Sequence, residues 1–160
     1  MLKAMLLATV VTVSLSMMLV DAAGVDFSGD WVLRERVPSE GDKTPQVLLV
    51  INQTGNDFKV TRIMIDEDKI IESHYTLDGT ENINTDLNEA GLVTIRSTSK
   101  WDNSVLVLEG SITFENQDKD VTNKWKTEYL LSENGTALAV TETHQTPFGE
   151  TVISQIFSRK

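Results

Sequence analysis

The sequence predicts an all-β domain, an antiparallel up-and-down meander β-barrel of eight to ten strands. Runs of six to twelve residues with alternating or β-branched character recur from Trp31 to the C-terminus, separated by turn residues, and no stretch keeps a helical period. Two hairpin turns also assign inner and outer faces that agree with the hydrophobicity of both flanking runs.

The first 23 residues read as a secretory signal peptide. Lys3 supplies a short positive region, Ala4 to Val20 form an uncharged run, and Val20 and Ala22 suit the two small-residue positions of a cleavage site. An uncleaved anchor would call for a basic stop-transfer cluster where Ala22, Ala23 and Gly24 stand instead. The remaining segment, 24–160, is about 137 residues, enough for one barrel domain burying roughly two-thirds of its chain's surface. The expectation is a secreted or periplasmic protein that meets a membrane only through its signal.

Cysteine is absent, which excludes disulfides, thiolate metal sites and a lipidated cysteine, so stability must come from the core. Asp and Glu number 24 against 14 Lys and Arg, a net charge of −10. Removing the signal leaves that charge unchanged, since it takes only Lys3 and Asp21. Such a balance serves solubility and argues against nucleic acid and anionic membranes as partners.

Strands are expected at 29–36, 46–53, 57–65, 69–78, 90–101, 104–115, 120–132, 136–145 and 150–158; the segment 79–89 has room for another short one around Asn82 to Thr85, so the count is nine or ten. A two-residue primed turn at Asn134-Gly135 pairs Leu131 with Leu138, Tyr129 with Val140, Thr127 with Glu142 and Trp125 with His144. The large apolar residues then share one face, while Lys124, Lys126 and Glu128 meet Ala139, Thr141 and Thr143 on the other. A similar turn at Asp102-Asn103 pairs Ser99 with Leu106, Ser97 with Leu108, Ile95 with Gly110 and Val93 with Ile112, and sets Arg96 opposite Glu109 outside. Thr146-Pro147-Phe148-Gly149 reads as a type I turn with proline second and a positive-φ glycine after it. The last strand fits either register, with Val152 and Ile156 on one face and Ile153 and Phe157 on the other.

The first strand opens on Phe27-Ser28-Gly29-Asp30-Trp31. This Gly-x-Trp motif resembles the start of the calycins, the superfamily of lipocalin-like and fatty-acid-binding-protein barrels, and the strand rhythm resembles that family over the whole of 24–160. The resemblance implies that Trp31 packs across the closed end of the barrel under a basic residue of the last strand, here Arg159. The chain also resembles small exported bacterial proteins of unassigned function that share a late Lys-Trp, an alternating Leu and Val run, an Asn-Gly turn and a Thr-Pro-x-Gly turn. Two features of fatty-acid-binding proteins are missing. Their two-helix lid has no room in Val37 to Pro45, where Pro38, Gly41 and Pro45 oppose helix. Their late Arg-x-Tyr, which holds a fatty-acid carboxylate, is absent from the last two strands.

The candidate ligand-binding residues are the inward set Asn123, Trp125, Thr127 and Tyr129, facing Val140, Glu142 and His144. Rings give contact area and a few polar groups give orientation, as a small-molecule site requires. An enclosed Glu142 needs a partner, which His144 along the same strand could help supply; the other reading places both residues at the open end of the barrel, in water. His74 and His144 are too few for a zinc site of several histidines, and no cofactor is expected. Resemblance to nitrobindin-like calycins would give His144 an axial haem role, although their glycine-rich opening is replaced here by Val32-Leu33-Arg34. Asp66-Glu67-Asp68 lacks the spacing and glycine of a calcium loop and reads as a solvated turn. No nucleophile elbow or serine–histidine spacing is present, so no enzyme is expected. The expected function is binding of a small hydrophobic or amphipathic ligand in the barrel interior. The alternative is a protein-binding module or inhibitor whose barrel is filled by Trp101, Trp125, Tyr129, Phe114 and Leu106 and whose partner is another protein.

Overall fold

The computed structural model describes residues 25–37, 45–88, 91–114 and 120–160, so the signal segment 1–23 and the connection 38–44 lie outside it. Ten strands follow one another: β1 (Gly29–Val37), β2 (Val47–Thr54), β3 (Asp57–Met64), β4 (Lys69–Thr76), β5 (Asn82–Asn88), β6 (Gly91–Asp102), β7 (Val105–Phe114), β8 (Val121–Leu131), β9 (Ala137–Thr146) and β10 (Gly149–Arg159). The short strand expected near Asn82 is real and extends to Asn88. Between β3 and β4 the acidic run makes a single 3₁₀ turn, Ile65–Glu67, where Asp66 accepts a hydrogen bond from the Gln46 backbone N–H at 2.8 Å.

The strands form one antiparallel sheet in the order β4-β3-β2-β1-β10-β9-β8-β7-β6-β5. Pairing of β1 with β10 curls this meander into a calycin-like barrel, and β4 and β5 are left as facing edges of a seam. One end of the seam is tied by side chains. Thr76 Oγ1 lies 3.1 Å from Asn82 Oδ1, and Ser99 Oγ donates to the Thr76 carbonyl at 2.8 Å.

The β8–β9 pairs are those the alternation predicts, from Trp125 opposite His144 to Leu131 opposite Leu138. Their turn is wider than a two-residue primed turn. Gly135 has φ +67° but Asn134 does not share the left-handed region, because its side-chain oxygen accepts from the Thr136 backbone N–H and from the hydroxyls of Ser132 and Thr136. The β6–β7 turn sits one residue later than expected, at Asn103-Ser104, with Asn103 at φ +54°. That slip moves the register by two residues. Ser99 therefore pairs with Leu108, Ser97 with Gly110, Ile95 with Ile112 and Val93 with Phe114, and the faces are preserved because the side-chain period is two. Arg96 is consequently not opposite Glu109; it bonds Glu81 at 2.9 Å, and Glu109 pairs with Lys100 at 2.8 Å. In β10 the ambiguity resolves with Ile153, Gln155 and Phe157 inward and Val152 and Ile156 outward. A bulge at Arg34 rephases β1 so that Arg36 comes opposite Gln155.

The core fills one end of the barrel. Trp31 is fully buried, donates its indole N–H to the Phe27 carbonyl at 3.0 Å, and carries the Arg159 guanidinium 4.7 Å above its ring. Gly29, at φ +145°, brings the chain under that stack. Gln53 holds the approach, accepting from the Phe27 N–H at 3.1 Å and donating to the Val25 carbonyl at 2.9 Å. The Phe27 ring thereby enters the barrel and meets Phe58, Trp101 and Tyr129 at centroid distances of 6.1, 6.0 and 6.1 Å. Leu33, Leu49, Ile51, Leu106, Leu108, Leu138, Val140 and Phe157 complete this layer. Replacing Phe27 by alanine is expected to lower the unfolding free energy by about 3–5 kcal/mol. Urea unfolding monitored by tryptophan fluorescence tests this, and a loss below about 1 kcal/mol would show that the ring does not anchor the core.

Candidate functional site

Above the aromatic layer the barrel is hollow. The cavity measures about 710 Å³ and reaches from Tyr129 and Val60 at its floor to Ile71, Ile112 and His144. This is within the size range of small-molecule sites. A second concavity, about 600 Å³, lies on the outside of β6–β10 among Arg96, Glu109, Lys124, Lys126, Gln145 and Glu150. Several of its polar groups already satisfy one another or their neighbours, as in Arg96–Glu81, Lys100–Glu109 and Gln145–Glu150. The interior cavity is the candidate site.

Alternation places the lining. On β8 and β9 the inward rows continue upward from Tyr129 and Val140 through Thr127 and Glu142 to Trp125 and His144. Gly110 of β7 sits between Ser97 and Trp125 in the register, and a Cβ there would collide with the Arg96 carbonyl oxygen. Trp125 is partly buried, and its ring lies 6.1 Å from that of Tyr75 on β4. Of the seven residues singled out from sequence, Trp125, Thr127, Tyr129, Glu142 and His144 line the cavity together. Val140 does not reach it, being fully buried in the core layer below. Asn123 faces inward at the upper end without lining the cavity, and its Oδ1 is buried with no hydrogen-bond partner among the described residues.

The partner of Glu142 is Arg62, a residue outside the set expected from sequence. Arg62 Nη2 donates to Glu142 Oε1, and the two side chains are only 24 % and 13 % exposed. Arg62 stands on β3 and Glu142 on β9, with β2, β1 and β10 between them around the wall, so the pair reaches across the lumen. His144 plays a lesser part: its Nε2 is 4.0 Å from Glu142 Oε2 and half its side chain meets solvent. The signal for Arg62 was present in the inward row Phe58, Val60, Arg62, Met64, an arginine on an otherwise apolar stripe. Burial alone would pull the Arg62 guanidinium below its ordinary range, but the Glu142 carboxylate outweighs this and holds it above. Burial raises the phenol of Tyr75, and raises that of fully enclosed Tyr129 much further.

No protein-family model matches the chain, and no curated protein matches it by sequence. Solved structures do match. A zebrafish ileal bile acid-binding protein complexed with cholic acid superposes with a TM-score of 0.53 at 16 % identity, covering 84 % of this chain and 98 % of that one. Human cRBP IV superposes at 0.55 with 18 % identity, covering 85 % and 99 %. A Caenorhabditis elegans lipid binding protein superposes at 0.51 with 11 % identity, covering 84 % and 95 %. At these identities the likeness is one of fold, and that fold is calycin-like.

Tyr75 and Tyr129 are the chain's two tyrosines, and both phenols are raised. In the unfolded chain they ionise near pH 10, whereas the folded protein retains their protons to higher pH. Their contribution to stability is therefore intact below about pH 10 and is lost as pH rises above it. A near-ultraviolet titration should show phenolate appearing at higher pH in the folded protein than in the chain unfolded in urea; coincident titrations of the two would contradict this burial.

Proposed function

We propose that this chain binds one small amphipathic molecule inside the open half of its barrel. The observation that carries the reading is the cavity of about 710 Å³, which rests on an aromatic layer and has a single arginine–glutamate pair reaching across it. Ile71, Ile95, Ile112 and Trp125 offer apolar area; Arg62, Glu142, Thr127 and Tyr75 offer orientation. The fold likeness to a bile acid-binding protein that holds cholic acid, and to a lipid binding protein, supports the same reading. The filled-barrel alternative describes the lower half, where Tyr129 and Leu106 belong to the buried core and Trp101 packs against it; Trp125, likewise only partly buried, lines the cavity. Binding and carriage, without chemical change of the ligand, is the activity proposed.

Export belongs to the same proposal. Lys3, the uncharged run to Val20 and the small residues after it support a signal removed before the protein works in the periplasm or outside the cell. Protein recovered from its own host should begin near Ala23, and retention of Met1 would overturn this part.

Native mass spectrometry of that same material is expected to show a bound small molecule. Trp125→Ala should weaken binding of this molecule, or of the neutral dye Nile red, by about tenfold while lowering the unfolding free energy by no more than about 1.5 kcal/mol. A loss of about 3–5 kcal/mol with no change in binding would place Trp125 in a filled core instead.

A further inference from the structure

We infer that the cavity selects an uncharged hydroxyl-bearing amphiphile, such as a long-chain alcohol, over a carboxylate or an amine. This rests on the binding reading above. Among the described residues lining the cavity, Arg62 is the sole arginine or lysine, and Glu142 already neutralises it. The other lining carboxylate, Glu72, lies 3.0 Å from Lys59 Nζ and is largely in solvent. The polar end of a ligand therefore meets a donor and an acceptor side by side with no net charge.

That arrangement discriminates by chemistry. A guanidinium has five N–H donors and no acceptor, and one of those donors is engaged with Glu142 Oε1. Among the described residues the nearest cationic partner of Glu142 Oε2 is His144, at 4.0 Å, beyond hydrogen-bond distance. A hydroxyl can accept from Arg62 and donate to Glu142 at once, satisfying both. A carboxylate can accept from Arg62 but brings a second anion beside the largely buried Glu142 carboxylate, and an ammonium meets the largely buried Arg62 with the same penalty. Tyr75 adds no charge, since its raised phenol stays protonated.

The test is displacement of Nile red from the full domain by dodecanol, dodecanoate and dodecylamine at pH 8, in the native protein, in Glu142→Gln and in the paired variant Arg62→Met, Glu142→Leu. Dodecanol should displace the dye at about tenfold lower concentration than either charged analogue. Glu142→Gln, which leaves Arg62 without its anion, should raise dodecanoate affinity about tenfold and reverse the order. If Glu142→Gln does not fold, the paired variant decides. It removes both charges with apolar residues of similar size, a change that often preserves stability, and should lose the about tenfold preference for dodecanol. Equal or tighter binding of dodecanoate by the native protein would overturn the selectivity and leave the binding reading intact. A preference for dodecanol that survives in the paired variant would overturn the role of the ion pair. Failure of the dye and all three amphiphiles to bind would overturn both.

Discussion

Phe27 enters the barrel from a segment that precedes the first strand, and its ring occupies the volume that Phe58, Trp101 and Tyr129 leave between them. Three features bring it there: the turn through Gly29, the indole N–H of Trp31 bonded to the Phe27 carbonyl, and the Gln53 side chain that grips the segment on either side. Because interiors tolerate few voids, a plug at one end lets the flanking rows of leucine, isoleucine and valine close around it at native density. The opposite end receives no such plug from the described residues. The division of the barrel into a packed half and a hollow half follows from that asymmetry, and so does the placement of Val140 and Tyr129 at its boundary.

The enclosed ion pair in the hollow half is of a different kind from the solvent-exposed ones. Lys59–Glu72 and Lys100–Glu109 are solvent-exposed and contribute at most about 1 kcal/mol each. Arg62 and Glu142 sit against aromatic and aliphatic walls, where desolvation of two charges opposes their attraction, so their presence is weak support for stability as such. Their position on strands from opposite sides of the lumen sets a charge-compensated donor and acceptor inside the cavity, which is the part they play in the proposed binding.

Much of this was legible in the chain because it is local. Period-two alternation and turn residues are properties of neighbouring residues, and they locate all ten strands and the inner faces of β6 to β9. Even the misplaced β6–β7 turn did no damage to the faces, since a turn displaced by one residue shifts pairing by two. The Trp31–Arg159 stack was legible through family resemblance, as its two members lie at opposite ends of the domain. The Arg62–Glu142 contact was not. Each residue could be seen on an inward row, but which rows meet across a barrel depends on strand tilt and stagger, and neither is written in the alternation. Alternation therefore offers Glu142 only the neighbour on its own strand, His144, whereas its partner comes from β3. The orphaned face of β10 was undecided for a related reason: both faces are apolar, and only pairing with β1 and β9 selects Phe157 for the core.

The seam between β4 and β5 connects these observations. Ile71, Ser73 and Tyr75 from one edge and Asn82 and Asn84 from the other line the cavity, so on this side the lumen is bounded by side chains and not by a continuous hydrogen-bonded ladder. Ties through Thr76, Asn82 and Ser99 hold one end of the seam, beside the Leu77–Glu81 connection. Toward Lys69 and Asn88 no strand pairing joins the two edges among the described residues, and Ile70 and Ile71 are exposed there. Unpaired edges are ordinarily a hazard for aggregation, which charged residues such as Lys69 and Glu72 oppose. Here the β4 edge also gives the hollow half an apolar lip at the level of the Arg62–Glu142 pair, because Ile71 is the register partner of Arg62. The polar point of the cavity thus lies directly inside the part of the barrel wall that is least closed.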